Sequence, residues 1–246
     1  MFCCAAVACS PARNLVKPEM VPVKGGTYIV GDYRWGLNMD ATPRHQVRIK
    51  PFKMMRYEVT YRQYDTLAAR YGWEKPSDDG LRADRAVTYI TWDEAKRFCA
   101  CIGMRLPTEV EWEYAARSGG KNERVSGTAD TTFITLYGSF VKDPVQTRNH
   151  TGRKRPNALG LHDMSGSVFE WIGDYYAVYD HEKKDGRKYV NLKKNPVRII
   201  RGGSFLTYAQ WPWTRTGTLH DSRQMDVGFR CVQPRGFFRR LLKPSR

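Results

Sequence analysis

Three capping boxes decide most of what this chain can fold into. Thr60-x-x-Gln63, Thr91-x-x-Glu94 and Thr108-x-x-Glu111 each place a threonine whose side chain satisfies an orphan helix amide, while Gln or Glu reaches back to the threonine N–H. The first predicts a helix to about Arg70. The second predicts one through Cys101, where Trp92, Ala95, Phe98, Cys99 and Ile102 recur at helical spacing and mark one buried stripe. The third carries Trp112, Ala115 and Ala116 and stops at Gly119-Gly120. After Gly120, short apolar pieces alternate with Gly, Asn, Asp and Pro clusters, and no further long helix is expected before the tail. Long irregular stretches in a compact domain are commonly functional.

Strand signals precede and surround these helices. Met20 to Gly31 (MVPVKGGTYIVG) reads as two short strands around a Gly-Gly turn, and His45 to Phe52 alternates with Val47 and Ile49 on one face. With 246 residues, 41% of them hydrophobic, the chain can bury a sizeable core. Its 7 Trp and 14 Tyr argue against disorder. The expectation is an α+β chain with one main domain at 20–233, a leader and tether at 1–19 and a basic tail at 234–246.

Several blocks carry a family resemblance. They are Met20–Gly31, Tyr57-Glu58-Val59-Thr60, Val87–Trp92, Arg105–Arg117 (RLPTEVEWEYAAR), Asn157–Trp171 (NALGLHDMSGSVFEW), Arg201-Gly202-Gly203-Ser204 and Gly228-Phe229-Arg230. In this order they resemble the formylglycine-generating, or sulfatase-modifying factor, family. The resemblance spans nearly the whole chain. It implies that family's variant of the C-type lectin fold, rich in irregular structure. The blocks also make sense unaided. Pro107 favours extended entry into a helix capped by Thr108, and Glu109, Glu111 and Glu113 sit in its first turns, where the helix dipole favours acids.

The resemblance also implies chemistry that these residues do not supply. Enzymes of the family oxidise a substrate cysteine to formylglycine with copper(I) held by two thiolates, and soft sulfur suits that ion. The matching positions here are Thr207 and Pro212, and no cysteine lies between Cys101 and Cys231. Copper is therefore not expected. A related branch uses iron bound by a separate histidine-rich helical domain. This chain has no room for one, and His45, His150, His162, His181 and His220 show no close ligand spacing. The family also binds calcium near the block matching Gly166–Trp171, which points to Asn157, Ser167 and Glu170 as a metal set. Calcium takes about six to eight oxygens, and backbone carbonyls can supply several. Ser167 stands where the family has Asn, and Glu170 can instead cap or pair with an arginine.

Between the last two framework blocks lies Phe205–Asp226. Phe205, Thr207, Tyr208, Gln210, Trp211, Trp213, Thr214, His220 and Asp221 mix large aromatics with small polar groups, the chemistry of a binding surface. This arrangement resembles the variable proteins of diversity-generating retroelements, which carry a binding face on the same scaffold. Core filling by Trp211 and Trp213 is the alternative. The functional expectation is a non-catalytic domain that binds a protein or other surface ligand. A divergent cysteine-oxidising enzyme, or an accessory subunit of one, is the competing reading.

The ends bear on location. Met1–Ser10 (MFCCAAVACS) is apolar and small, and Ala6-Val7-Ala8-Cys9 looks like a relaxed lipobox with Cys9 as the lipidated residue. The expectation is an exported, membrane-anchored lipoprotein, periplasmic or at the cell surface. The charged start of a signal peptide is missing, which points to a start codon further upstream. In the tail, Phe237, Phe238, Leu241 and Leu242 share one helical face while Arg235, Arg239, Arg240 and Lys243 fall largely elsewhere. No apolar run approaches the ~20 residues of a membrane span. Cys99 and Cys101, two apart in a helix, cannot pair with each other, and Cys99 and Cys231 read as small core residues. The formal charge of +16 is spread along the chain without zinc-finger or RNA-binding signatures, so a solvated basic surface is expected and no nucleic acid partner.

Overall fold

Period-two alternation builds a bent ribbon at the start of the chain. The computed structural model describes residues 15–32, 39–76, 83–141, 143, 150–177 and 196–234. Cys9 and the tail from Arg235 onward lie outside them. Strands β1 (Met20–Val23), β2 (Gly26–Val30), β3 (His45–Ile49) and β4 (Phe52–Met55) bury Val21, Val23, Tyr28, Val30, Val47, Ile49, Phe52 and Met54. The Gly-Gly pair is not a turn between paired neighbours, as the sequence suggested. Instead β1 pairs antiparallel with β4 and β2 with β3, so Gly25-Gly26 bends one long ribbon. Gly25 has φ +75°, and a Cβ there would stand 2.5 Å from the Ile49 carbonyl oxygen, so only glycine fits the bend.

The three expected helices are α1 (Tyr61–Tyr71), α2 (Trp92–Cys101) and α3 (Glu109–Ala116), followed by the single turn α4 (Ile134–Tyr137). Each capping box closes as its sequence demands. Thr60 N–H donates to Gln63 Oε1 at 3.0 Å and Gln63 N–H donates to Thr60 Oγ1 at 3.3 Å, and the pairs Thr91/Glu94 and Thr108/Glu111 repeat the exchange.

Strands β5 (Phe169–Tyr175), β6 (Val197–Arg201), β7 (Thr216–Leu219) and β8 (Val227–Gly228) form a sheet in the order β7-β6-β5-β8, and β9 (Val232–Pro234) joins β4. Adjacent residues of β5 and β6 point to opposite faces, and both faces are covered. Trp171 and Ile200 pack with α1 and α2, whereas Ile172 and Ile199 pack with α3 and the ribbon.

Two features of the interior were not foreseen. Cys99 on α2 and Cys231 beside β9 are joined in a disulfide with Cα atoms 5.6 Å apart, and Cys101 is also disulfide-bonded. Reading these cysteines as core thiols gave their burial but not their bonding, because nothing local says which elements a 132-residue separation brings together. The core also holds charge. Arg117, Arg201 and Arg230 are fully buried, as are Glu58, Glu113 and Glu170. Arg201 Nη2 donates to Glu113 Oε2 at 2.7 Å and Arg117 Nη1 to Glu113 Oε1 at 3.1 Å, while both oxygens of Glu109 accept from Arg215. Glu109 and Glu113, expected simply to favour the helix dipole, are the buried ion-pair partners of three arginines.

Candidate binding face

The segment after β6 is pinned at both ends. Ser204 is buried, and its hydroxyl donates to Asp226 Oδ2 at 2.7 Å, tying the start of Phe205–Asp226 to its end. The same hydroxyl oxygen accepts from Leu206 N–H at 3.2 Å, and Ser204 N–H donates to Thr207 Oγ1 at 3.0 Å. Thr207 N–H returns to Ser204 C=O, Phe205 N–H donates to Ser167 C=O, and Val141 N–H donates to Thr207 C=O. Gly203, at φ +76°, makes this turn possible, since a Cβ there would meet Thr207 Oγ1 at 3.1 Å and Gln210 Cγ at 3.3 Å.

On this seat the candidate residues separate. Tyr208 is 68% exposed and Leu206 48% exposed, whereas Phe205, Thr207, Gln210, Trp211 and Thr214 are half-buried. Trp211 stacks on Trp213 with ring centroids 6.0 Å apart. Trp213 is 1% exposed, with the Arg117 guanidinium 5.9 Å from its ring, so it fills the core beneath the loop and offers no surface to a ligand. Its assignment to the binding set is corrected on that ground. Thr214 N–H bonds to Trp211 C=O, and Thr214 C=O accepts from Arg201 at 2.7 Å, which ties the buried ion pairs to the aromatic loop.

His220 and Asp221 are carried away from this group, past β7. His220 Nδ1 lies 3.3 Å from Asp93 Oδ2 at the start of α2, and Trp92 N–H donates to His220 C=O. Arg223 holds the same region by bonding both oxygens of Glu94 at 2.8 and 2.9 Å. Burial alone would raise the Glu94 carboxyl, but hydrogen bonds from Arg223 and Thr91 outweigh it and hold it below the usual range. In Phe205–Trp211 the exposed side chains are Leu206 and Tyr208, flanked by the half-buried Phe205 and Trp211. Leu206 was missed from the candidate set. Its signal was its place beside Phe205 and Tyr208 in a turn too short to bury all three.

The metal expectations meet the residues as follows. Glu170 is saturated: Oε1 accepts from Arg230 Nε and Nη2, and Oε2 from Arg230 Nε and Trp112 Nε1, at 2.7 to 2.9 Å. Asn157 donates to Ala115 C=O and Ser126 Oγ and accepts from Leu159 and Leu161 N–H. Ser167 Oγ is buried without a hydrogen-bond partner, and its backbone is left-handed at φ +61°. Asn157, Ser167 and Glu170 as placed do not fit calcium, because the one carboxylate already has a cation and the amide has no lone pair free. For copper, Thr207 Oγ1 is engaged in its own turn and Pro212 has no donor, so these positions do not fit a soft ion.

Beside this pair lies a crowd of acids. Arg230 also lies 3.9 Å from Glu58, and Asp163 accepts Gly152 N–H at 2.6 Å. Burial first, with Asp163 and Glu170 adding to it, pushes Glu58 well up; burial pushes Asp163 up to about 6 against the opposing Gly152 hydrogen bond and Arg230 charge. Three carboxyls facing one buried guanidinium cannot all ionise cheaply.

Comparison with known proteins agrees with this architecture. The model of the sulfatase-modifying factor enzyme 1-like domain matches residues 6–235. The formylglycine-generating enzyme of Thermomonospora curvata is 26% identical over 284 residues, covering 87% of this chain and 92% of its own length. The inactive C-alpha-formylglycine-generating enzyme 2 of Bos taurus is 29% identical over 184 residues, 67% of this chain and 56% of its own length. Among solved structures, Treponema denticola variable protein 1 superposes with a TM-score of 0.72 at 20% identity, covering 87% of this chain and 94% of that one. A mixed helix and strand fold, sequence blocks in order from the ribbon to β8, and a family model matched over nearly the whole length lead to one assignment: the chain belongs to the sulfatase-modifying factor enzyme 1-like family.

Proposed function

We propose that this chain is a non-catalytic binding domain on the sulfatase-modifying factor scaffold, presenting Phe205, Leu206, Tyr208 and Trp211 to a protein or other surface ligand. One observation carries the reading. The loop that would hold the family's thiolates has Thr207 and Pro212 in their place, and Tyr208 stands outward, flanked by the half-buried Phe205 and Trp211, on a seat fixed by Ser204, Asp226 and Gly203. Rigid exposed aromatics give contact area at low entropic cost. A curated relative named as inactive, and a structural neighbour named as a variable protein, are consistent with a scaffold used for something other than oxidation. Export and lipid anchoring at Cys9 belong to the same proposal. The Cys99–Cys231 disulfide supports them, since such bonds persist in oxidising compartments.

Two measurements test this together. Purified protein with copper and oxygen, offered a cysteine-containing sulfatase peptide, should form no aldehyde by mass spectrometry while an active family enzyme does. Surface capture of partners should be lost in Tyr208→Ala with the melting temperature held, and in Trp211→Ala with the domain still folded. Aldehyde formation would overturn the non-catalytic reading and favour the divergent oxidase. Capture that survives both substitutions would remove this face.

A further inference from the structure

Arg56 pairs with Glu19, Arg62 with Asp84 and Arg223 with Glu94. The outward side of the bent ribbon carries cations with no acid set among them. The alternation that buries Val21, Val23, Val47, Ile49 and Phe52 turns Lys24, Arg48, Lys50 and Lys53 to solvent. None of these four side chains has an ion-pair or hydrogen-bond partner among the described residues. Pro22 stands opposite Lys53 in one strand pair, Thr27 opposite Arg48 and Ile29 opposite Gln46 in the other, and Lys24 and Lys50 lie at the junctions between the two. No acidic residue belongs to this face of the four strands, and Ile29 stands out from it 43% exposed.

We propose that this ribbon face is a contact surface for an anionic lipid bilayer. Unpaired cations set around an exposed isoleucine match a negatively charged surface with a shallow apolar boundary beneath it. Single-stranded nucleic acid would call for aromatic rings on which bases stack, and this face has none. Continuity points the same way. Strand β9 lies beside β4 with Gln233 opposite Lys53, and after Pro234 the sequence continues with Arg235, Phe237, Phe238, Arg239 and Arg240, a composition suited to the same surface. The proposal does not depend on the aromatic loop having a ligand.

The test uses the full chain carrying Cys9→Ser, so that no lipid anchor contributes, sedimented with phosphatidylcholine vesicles made with and without phosphatidylglycerol. Binding is expected to the anionic vesicles alone and to fall as salt is raised. Each of Lys24→Gln, Arg48→Gln, Lys50→Gln and Lys53→Gln should lower partitioning about fivefold, with the melting temperature unchanged. Equal sedimentation of the fourfold variant would overturn the proposal and leave the tail as the source of binding. Absence of any preference for anionic vesicles, or tighter binding to DNA than to vesicles, would overturn it too. Aggregation of the variant with undiminished vesicle binding would assign the charges to protecting the ribbon edge instead.

Discussion

Trp211 and Trp213 are two positions apart, stacked on each other, and do opposite work. Replacing Trp213 by Ala empties a fully buried site under the Arg117 guanidinium and is expected to cost about 3–5 kcal/mol in chemical denaturation. Trp211→Ala removes a half-buried ring and should cost clearly less; an equal loss would mean that both rings are core. Asp163 makes a prediction in pH. Its carboxyl is raised from 3.8 to about 6, chiefly by burial. A folded state that holds its proton more tightly than the unfolded chain is stabilised below the unfolded value and loses that contribution as pH rises to about 6. Asp163→Asn, at a left-handed position that Asn tolerates, keeps a polar group without the titration. Measured by melting temperature, the variant should therefore gain on the parent protein between pH 4 and pH 7. A constant difference across that window would mean that Asp163 titrates normally.

At the scale of elements, α3 both carries a sequence block and anchors the aromatic loop through Arg201. Its capping box is worth about 1 kcal/mol, so Thr108→Ala should be mildly destabilising. Glu113→Gln is a different matter. It removes the charge that Arg117 and Arg201 share in the core, and breaking a buried pair costs about 3–5 kcal/mol. Because Arg201 also holds Thr214 C=O, the loss should loosen the aromatic loop, readable as faster amide exchange at Thr207 and Trp211. Unchanged exchange would separate the ion pairs from the loop. This contrast also explains what was legible beforehand. Helix positions follow from local caps and spacing, and α1, α2 and α3 begin where Thr60, Thr91 and Thr108 say. The loop's location follows from its flanking blocks. Partners brought together from afar have no local signature, so Glu109, Glu113 and Glu170 were read one at a time, and Trp213 was indistinguishable from Trp211. For the same reason Glu170 looks like a calcium ligand in its sequence block, whereas Arg230, far along the chain, holds it.

Across the whole molecule, the Cys99–Cys231 bond links α2 to the segment that enters β9, and so joins the first helical half to the last strand that closes on the ribbon. Everything irregular between residues 120 and 226 lies inside that closed loop. In the chain-entropy account, closing so long a loop stabilises by about 3–5 kcal/mol. Cys99 and Cys231 lie in one buried apolar cluster with Phe98, Trp171 and Phe229, packing that does not depend on the bond alone. Cys99→Ala with Cys231→Ala should therefore leave a folded domain whose denaturation midpoint falls by an amount matching that range, and reductant should lower the parent protein at least as far, since it also reaches the Cys101 bond. A parent protein indifferent to reductant at its midpoint would show the bond to be absent or without weight. A large fall would support the proposed export, because such a bond persists only where thiols are kept oxidised.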